Sequence, residues 1–140
     1  MWDNYQQFRE KFQINTIMNV PNGDENEKLL RVNYPHGYCG VAKNGHPIYI
    51  ERDGLIKADK VNEDFPDVDD VLRVFSRSYE RLQRHIMLAL SHERGVQIQN
   101  TVSILDLNGF GITMMNKKVY SIIKAAMGVM QDNYPENLGK

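Results

Sequence analysis

Aromatic and polar residues alternate at helical spacing near the N-terminus. The rings recur at three- and four-residue steps, at Trp2, Tyr5, Phe8 and Phe12. This spacing puts them on one face and predicts a first helix that ends near Asn19. Residues 21–23 (Pro-Asn-Gly) break the pattern, and the polar run through Lys28 predicts a loop before a short helical turn at Leu29 and Leu30.

Two alternating stretches, residues 37–42 and 47–52, flank an Asn-Gly pair at 44–45. Because this pair readily adopts the positive φ values of a tight turn, the pattern predicts a β-hairpin. In the second strand, isoleucines alternate with Tyr49 and Glu51. We therefore expect this strand to lie between an apolar core and a more polar layer.

The longest regular pattern predicts an amphipathic helix that begins after Asp67 and ends at Gly95. Asp67 and Asp70 are spaced as a capping start. A single apolar stripe follows for five turns, formed by Val68, Val71, Leu72, Phe75, Tyr79, Leu82 and Ile86.

A row of arginines occupies the opposite face of this helix, at positions 73, 77, 81 and 84. Asp69 and Glu80 stand four residues before Arg73 and Arg84, where they could neutralise them. One interpretation is a solvated outer face. The other is a contact with an anionic surface, and the sequence leaves both open.

Residues 101–107 are short, β-rich and nearly all apolar, which predicts a central strand covered on both faces. We expect Ile104 and Leu105 to be strongly buried. After a break at residues 108–111, a last helix is predicted until residues 133–135. Its inward positions are Met115, Val119, Ile122, Ile123, Ala126 and Met130, and its outward positions are Lys117, Tyr120, Lys124 and Gln131.

These elements together predict an α/β fold, in which a β-hairpin and a central strand form a mixed sheet covered by amphipathic helices. A buried strand followed by a packed helix forms the first part of a right-handed crossover. The parallel strand that receives such a crossover would begin where this sequence stops. We therefore expect the fold to be truncated before that strand.

Charge and cysteine content narrow the possible functions. Lys and Arg number 17 against 18 Asp and Glu, a net charge of −1, which disfavours a general nucleic-acid binder. Cys39 is the single cysteine, so an internal disulfide is excluded and a reducing compartment is expected. Neither a secretory pattern nor a run of roughly 18 apolar residues occurs, so we expect a cytoplasmic chain.

Asp106 is the first candidate for chemistry, because catalytic acids in open α/β sheets follow the carboxyl ends of strands. A Gly-x-Gly loop follows it, but position 114 is Met where a dinucleotide fingerprint needs its third glycine. One interpretation is therefore a nucleotide-dependent enzyme that uses Asp106. The other is a carboxylate that caps its own loop.

His36, Cys39 and His46 lie within eleven residues and are soft metal ligands. Closed zinc sites nearly always have four ligands, and no fourth ligand of matching spacing follows. We therefore predict no metal site and no metal cofactor.

Four ordered motifs resemble the CRAL-TRIO lipid-binding domain family. They are residues 43–51 (KNGHPIYIE), Tyr79-Glu80 with Ser91, residues 103–109 (SILDLNG), and residues 131–136 (QDNYPE). The match is nearest to the phosphatidylinositol and phosphatidylcholine transfer branch. It implies a helical lead-in over residues 1–33 and the first half of a lipid-binding domain over residues 34–140.

The resemblance implies a non-enzymatic protein that holds one phospholipid and touches membranes transiently. Tyr49 matches a tyrosine of the lipid pocket, and His85 stands where another is common. Gly111 and Thr113 fall on the loop associated with a choline headgroup, and Glu136 on the acidic position associated with an inositol headgroup. The bound lipid would be the only ligand, without a further cofactor.

Two alternatives remain beside a lipid-transfer module. The first is a lipid-sensing interaction module of a larger signalling protein, and the second is the nucleotide-dependent enzyme. Because the crossover strand would lie beyond Lys140, we expect the pocket to be incomplete here and the chain not to transfer lipid by itself.

Overall fold

The computed structural model describes residues 2–111 and 117–134, which contain helices and a three-stranded sheet. The helices of these ranges are α1 (Trp2–Lys11), α2 (Gly23–Asn33), α3 (Ala58–Asp64), α4 (Val68–Arg81), α5 (Leu88–Arg94) and α6 (Lys117–Asn133). The strands are β1 (His36–Val41), β2 (Pro47–Glu51) and β3 (Val102–Leu105). The predicted α/β class is confirmed.

The sheet is mixed, with strand order β1-β2-β3. β1 and β2 pair antiparallel, and β3 runs parallel to β2. The predicted hairpin is therefore confirmed. Its turn closes through a hydrogen bond of 2.8 Å from the Gly45 N–H to the Ala42 carbonyl, with Gly45 at a φ of +90° that favours glycine.

The prediction that β3 is a strand buried on both faces is wrong. Ile104 is 47% exposed and Leu105 58% exposed. Within the described residues β3 pairs with β2 along one side only, which makes it an edge strand. An edge strand leaves one row of backbone N–H and C=O groups unpaired, and the exposure of Ile104 and Leu105 shows that the described residues cover neither face of β3. An apolar sequence alone did not reveal either property.

The first helix ends at Lys11 rather than near Asn19. The chain reverses at Gln13, which adopts a φ of +51°, and a short 3₁₀ turn covers Ile17–Asn19. The reversal buries Ile14 and Ile17 completely beside Phe12, which a continuous helix could not do.

The polar stretch predicted as a loop belongs to helix α2, which begins at Gly23. Its acidic residues Asp24 and Glu25 stand in the first turn, where the helix dipole favours them. The side chain of Glu27 is buried against α4. A polar residue that points inward to a charged partner is invisible to a hydrophobic pattern. Helix α3 was likewise not predicted.

The long helix begins and ends as predicted. The Asp67 carboxylate accepts a hydrogen bond of 2.9 Å from the Asp69 N–H, and Gly95 ends α5 with a φ of +66°. A π turn at Leu82–Met87 interrupts it between α4 and α5. Leu82 and Met87 are both buried, five residues apart rather than four, so the predicted stripe shifts at this point. Val68, the first residue of the stripe, is 45% exposed.

The arginine row does not form a solvated outer face. Arg77 is buried and pairs with Glu27 and with Asp24, the latter at 3.0 Å. Arg81 reaches the same two carboxylates at 3.0 and 2.6 Å. Arg77 and Arg81 therefore join α4 to α2 through a partly buried ion-pair network.

Two further ion pairs test the predicted neutralisation. The Arg84–Glu80 pair is confirmed, with Arg84 Nε 2.6 Å from the carboxylate. Asp69 instead pairs with Lys11 of α1, with Lys11 Nζ 2.6 Å from the carboxylate. Arg73 lies over the Phe12 ring, 5.7 Å from its centroid. Asp69 therefore joins α4 to α1 through this ion pair and does not neutralise Arg73.

The main core lies between the helices and excludes most of the sheet. Its buried members include Leu30 and Tyr34 from α2 and the segment after it, Val61 from α3, Phe75 and Tyr79 from α4, and Ile122 and Ala126 from α6. The predicted outward residues of α6 are exposed: Lys117, Tyr120, Lys124 and Gln131. Met115 lies outside the described residues, and so do Thr113 and Glu136. None of the helices in the described ranges is both long and apolar enough to cross a membrane.

Candidate functional site

Tyr49 lies in a cluster of aromatic rings between the hairpin and helix α4. Its ring centroid lies 5.2 Å from that of Tyr38 on β1 and 6.3 Å from that of His36. The His36 ring lies 5.0 Å from Phe75 on α4. Burial raises the pKa of both the Tyr49 and the Tyr38 hydroxyl, so both stay protonated. The cluster therefore presents neutral hydroxyl donors inside an apolar wall.

Glu51 closes the cluster at the end of β2. The Tyr34 hydroxyl donates a hydrogen bond to its carboxylate. Desolvation raises the pKa of Glu51 to about 7, and the nearby negative charge of Asp53 adds to the shift. Near neutral pH the Glu51 carboxyl is thus partly protonated.

His36 is partly buried beside Tyr34. Its Nδ1 atom lies 2.7 Å from the Tyr34 carbonyl oxygen, and desolvation lowers its pKa to about 4. The ring is therefore neutral at physiological pH and donates to the carbonyl. Cys39 is exposed on the same strand. Residues 36, 39 and 46 do not face a common centre, and the described residues hold no cluster of three metal-ligating side chains.

Asp106 holds two loops together at the carboxyl ends of β2 and β3. Its Oδ1 atom accepts a hydrogen bond of 3.0 Å from the Asn108 N–H, and its Oδ2 atom accepts one of 3.2 Å from Arg52 Nε. These two contacts, the first being the larger, lower the pKa of Asp106. Both oxygens are thus engaged, which favours the loop-capping interpretation over an enzyme acid.

The same two loops touch through glycine. A Cβ atom added to Gly54 would lie 1.9 Å from the Asn108 carbonyl oxygen, which no side chain could accommodate. The turn after β2 and the loop after β3 are therefore fixed to each other, and Gly109 lies in this contact with a φ of +86°.

An apolar edge lies next to these loops. Ile104, Leu105 and Leu107 are 47%, 58% and 57% exposed. In the parallel register Ile104 lies beside Ile50, and Leu105 lies beside Glu51 on the opposite face of the sheet. Apolar side chains are therefore open to solvent on both faces of β3. Contiguous exposure of this kind marks a ligand or partner site.

The predicted site residues fall in three separate places. Tyr49 is buried in the ring cluster, and Gly111 is exposed in the loop after β3. His85 is exposed on the π turn and makes no ring contact with Tyr49. The structure thus does not bring His85 and Tyr49 together. Thr113 and Glu136 lie outside the described residues.

Sequence reasoning missed Tyr38 and Glu51 as parts of the cluster. Tyr38 pairs directly with Tyr49 in the hairpin register, so the turn position and the alternation of side chains would have placed them on one face. The burial of Glu51 depends on Tyr34, 17 residues earlier. No local pattern signals such a contact.

Comparison with known proteins places this geometry in a family. A profile of the CRAL/TRIO domain matches residues 31–140. The phosphatidylinositol/phosphatidylcholine transfer protein SFH7 of Arabidopsis thaliana is 30% identical over 140 residues, which is 100% of this chain and 25% of that protein.

Two further relatives agree. The phosphatidylinositol/phosphatidylcholine transfer protein SFH4 of Arabidopsis thaliana is 33% identical over 138 residues, covering 99% of this chain and 22% of that protein. The SEC14 cytosolic factor of Yarrowia lipolytica is 31% identical over 140 residues, 100% of this chain and 28% of that protein. The chain thus spans about a quarter of the length of these relatives. With more than half of its residues matched by the domain profile, the chain belongs to the CRAL/TRIO domain family.

Proposed function

We propose that this chain supplies one wall of a site that holds a single phospholipid, similar to phosphatidylinositol, or another hydrophobic ligand, without any covalent step. The observation that carries the proposal is the exposure of Ile104, Leu105 and Leu107 along β3. Two of the relatives above are named as phosphatidylinositol/phosphatidylcholine transfer proteins. An apolar strand edge is suited to acyl chains, because it offers surface that is otherwise costly to leave in water.

The polar part of the ligand would meet the hydroxyl groups and loops around that edge. We assign Tyr49 in the ring cluster and His85 on the π turn as contacts on two separate parts of the pocket wall, and Gly111 and Thr113 as contacts of the loop after β3. Glu136 would accept hydrogen bonds from the hydroxyl groups of an inositol ring. Neutral tyrosine hydroxyls donate to phosphate and ester oxygens without introducing charge into an apolar site.

The ligand must come from a bilayer, so the protein would meet membrane surfaces transiently. The SEC14 relative is named a cytosolic factor, which supports a cytosolic location for this chain as well. No nucleic acid and no metal takes part in this function.

Photocrosslinking tests the site directly. A short-chain phosphatidylinositol with a diazirine in one acyl chain is presented as monomers, without vesicles, and crosslinked peptides are identified by mass spectrometry. We expect crosslinks to concentrate in residues 101–111. Crosslinks that spread over all exposed apolar residues, or none above a diazirine alkyl alcohol, would contradict the proposal.

Matched variants sharpen this experiment. Leu105→Asn should lower crosslinking several-fold, because it removes apolar contact area from the edge strand. Val32→Asn is the control, since Val32 is 67% exposed on α2, away from β3. Equal loss in both variants would indicate non-specific adsorption of the probe.

A further inference from the structure

The end of the long helix and the hairpin turn form one surface. The Arg94 side chain packs over Gly45, where an added Cβ atom would lie 2.8 Å from Arg94 Cδ. Lys43 belongs to the same turn and is exposed, as is Arg94. A cationic side chain from the end of the long helix therefore packs on the turn that carries Lys43.

The π turn explains why apolar residues are exposed here. It lengthens the spacing between buried positions to five residues, so Met87 faces the interior. Leu88, which follows directly, is 64% exposed. Exposing a leucine is unfavourable, and π turns inside helices occur frequently at functional sites.

Leu88 shares a cleft with Val96. The cleft has a volume of about 550 Å³ and is also lined by Met87 and Ile98. Val96 is 59% exposed, directly after the glycine that ends α5. Val41, which ends β1 just before the turn, is 43% exposed. The surface thus combines three exposed apolar side chains with two cations.

Acidic residues are scarce in the segments that build this surface. Residues 36–50 contain no Asp or Glu, and residues 82–105 contain only Glu93, although the whole chain carries a net charge of −1. The negative charge therefore lies elsewhere in the sequence. An anionic partner is the one that complements this surface.

We propose that a docking surface formed by Val41, Lys43, Leu88, Arg94 and Val96 rests on an anionic phospholipid bilayer. The apolar side chains would enter the headgroup region while the cations face lipid phosphates. The proposal rests on the proposed function, since a lipid-binding protein must reach its lipid in a membrane. The surface is distinct from the β3 edge, whereas His85, assigned above as a lipid contact, lies on the π turn three residues before Leu88.

Vesicle co-sedimentation tests the docking surface with the 140-residue chain. Vesicles of phosphatidylcholine with 30% phosphatidylserine are compared with phosphatidylcholine alone, at low and high salt. We expect binding to the anionic vesicles that weakens with salt. Lys43→Gln should weaken it about fivefold, as expected for one cation near an anionic surface.

A double variant tests the apolar part. Leu88→Gln/Val96→Gln should abolish most vesicle binding, and Leu29→Gln/Val32→Gln is the matched control on exposed positions of α2. Equal vesicle binding by the two double variants overturns the proposal. If Leu88→Gln/Val96→Gln instead removes self-association of the chain in buffer and leaves vesicle binding unchanged, the surface joins copies of the protein and the proposal is wrong.

The monomeric photoprobe separates this inference from the proposed function. Leu88→Gln/Val96→Gln should crosslink normally in residues 101–111, because that probe requires no bilayer. If the unmodified chain does not crosslink in residues 101–111, the proposed lipid site is wrong. If crosslinking is normal but the two double variants bind anionic vesicles equally, only the docking surface is wrong.

Discussion

The main core between the helices, here called the helical layer, and the exposed edge strand β3 are both apolar in sequence. They differ in what covers their side chains. Phe75 on α4 is 2% exposed, and its neighbours come from α2 and from the segment after it. Leu105 on β3 is 58% exposed. The charged groups differ in the same way: Glu27 is buried between two arginines, whereas Asp106 lies at the surface of a loop contact.

This difference separates stability from binding. In the helical layer the buried large side chains fill space between helices, so the loss of one would leave a cavity or an unpaired charge. Along β3 the apolar side chains are exposed, and a bound ligand would remove them from water. Substitutions in the two regions should therefore affect different measurements.

The largest effect is expected in the helical layer. Phe75→Ala should lower the free energy of unfolding by about 3–5 kcal/mol, because the ring packs against Tyr34, His36 and Tyr79 and would leave a cavity. Chemical denaturation followed by circular dichroism measures it. Met127→Ala, at a 58% exposed position of α6, is the control and should stay within about 0.5 kcal/mol. Similar losses for both would mean that the helical layer is loosely packed.

Sequence patterns predicted the elements that carry their own local signals. The hairpin turn, the Asp67 cap and the Gly95 end are each set by a few neighbouring residues, and the structure confirms them. Of the Asn-Gly pair, only Gly45 adopts a positive φ. Helix α2 could not be read in this way, because its inward residue Glu27 is polar and finds its partners 50 and 54 residues later.

The sequence also could not predict whether β3 is a central or an edge strand of the sheet. An apolar sequence such as residues 102–105 is compatible with a central or an edge strand, and only the pairing decides. The candidate site was predicted at Tyr49 from its motif. The acid–tyrosine contact beside it depends on Tyr34, the residue that follows α2, reaching Glu51 on β2, which no local spacing encodes.

The second prediction, of intermediate size, concerns how the free energy of unfolding depends on pH through Glu51, which lies on β2 between the helical layer and β3. The pKa of Glu51 is raised from 4.5 to about 7 in the fold, so the folded state binds the proton more tightly than the unfolded state. The resulting stabilisation is fully present below pH 4.5 and is lost as the pH rises through about 7. Glu51→Gln should remove this loss, which is on the order of 3 kcal/mol for a pKa raised from 4.5 to about 7. Denaturation between pH 4 and 8 measures it.

His36 provides the opposing control. Its pKa is lowered from 6.5 to about 4, so its stabilisation is fully present above pH 6.5 and is lost as the pH falls through about 4. In His36→Asn, stability should therefore fall less in acid than in the unmodified chain. If Glu51→Gln and His36→Asn shift the pH dependence in the same direction, the assigned protonation states are incorrect.

The smallest effect on stability is expected at the β3 edge, where binding should respond instead. Ile104→Thr keeps a β-branched side chain in the strand at a position that is 47% exposed, so the free energy of unfolding should change by about 0.5 kcal/mol or less. Val71→Thr makes a similar exchange at a position of α4 that is 2% exposed and should cost about 1–3 kcal/mol through its buried hydroxyl. Crosslinking of the monomeric lipid probe should show the reverse order, falling in Ile104→Thr and persisting in folded Val71→Thr. A strong loss of stability in Ile104→Thr with unchanged crosslinking would mean that β3 is part of the core and that the ligand binds elsewhere.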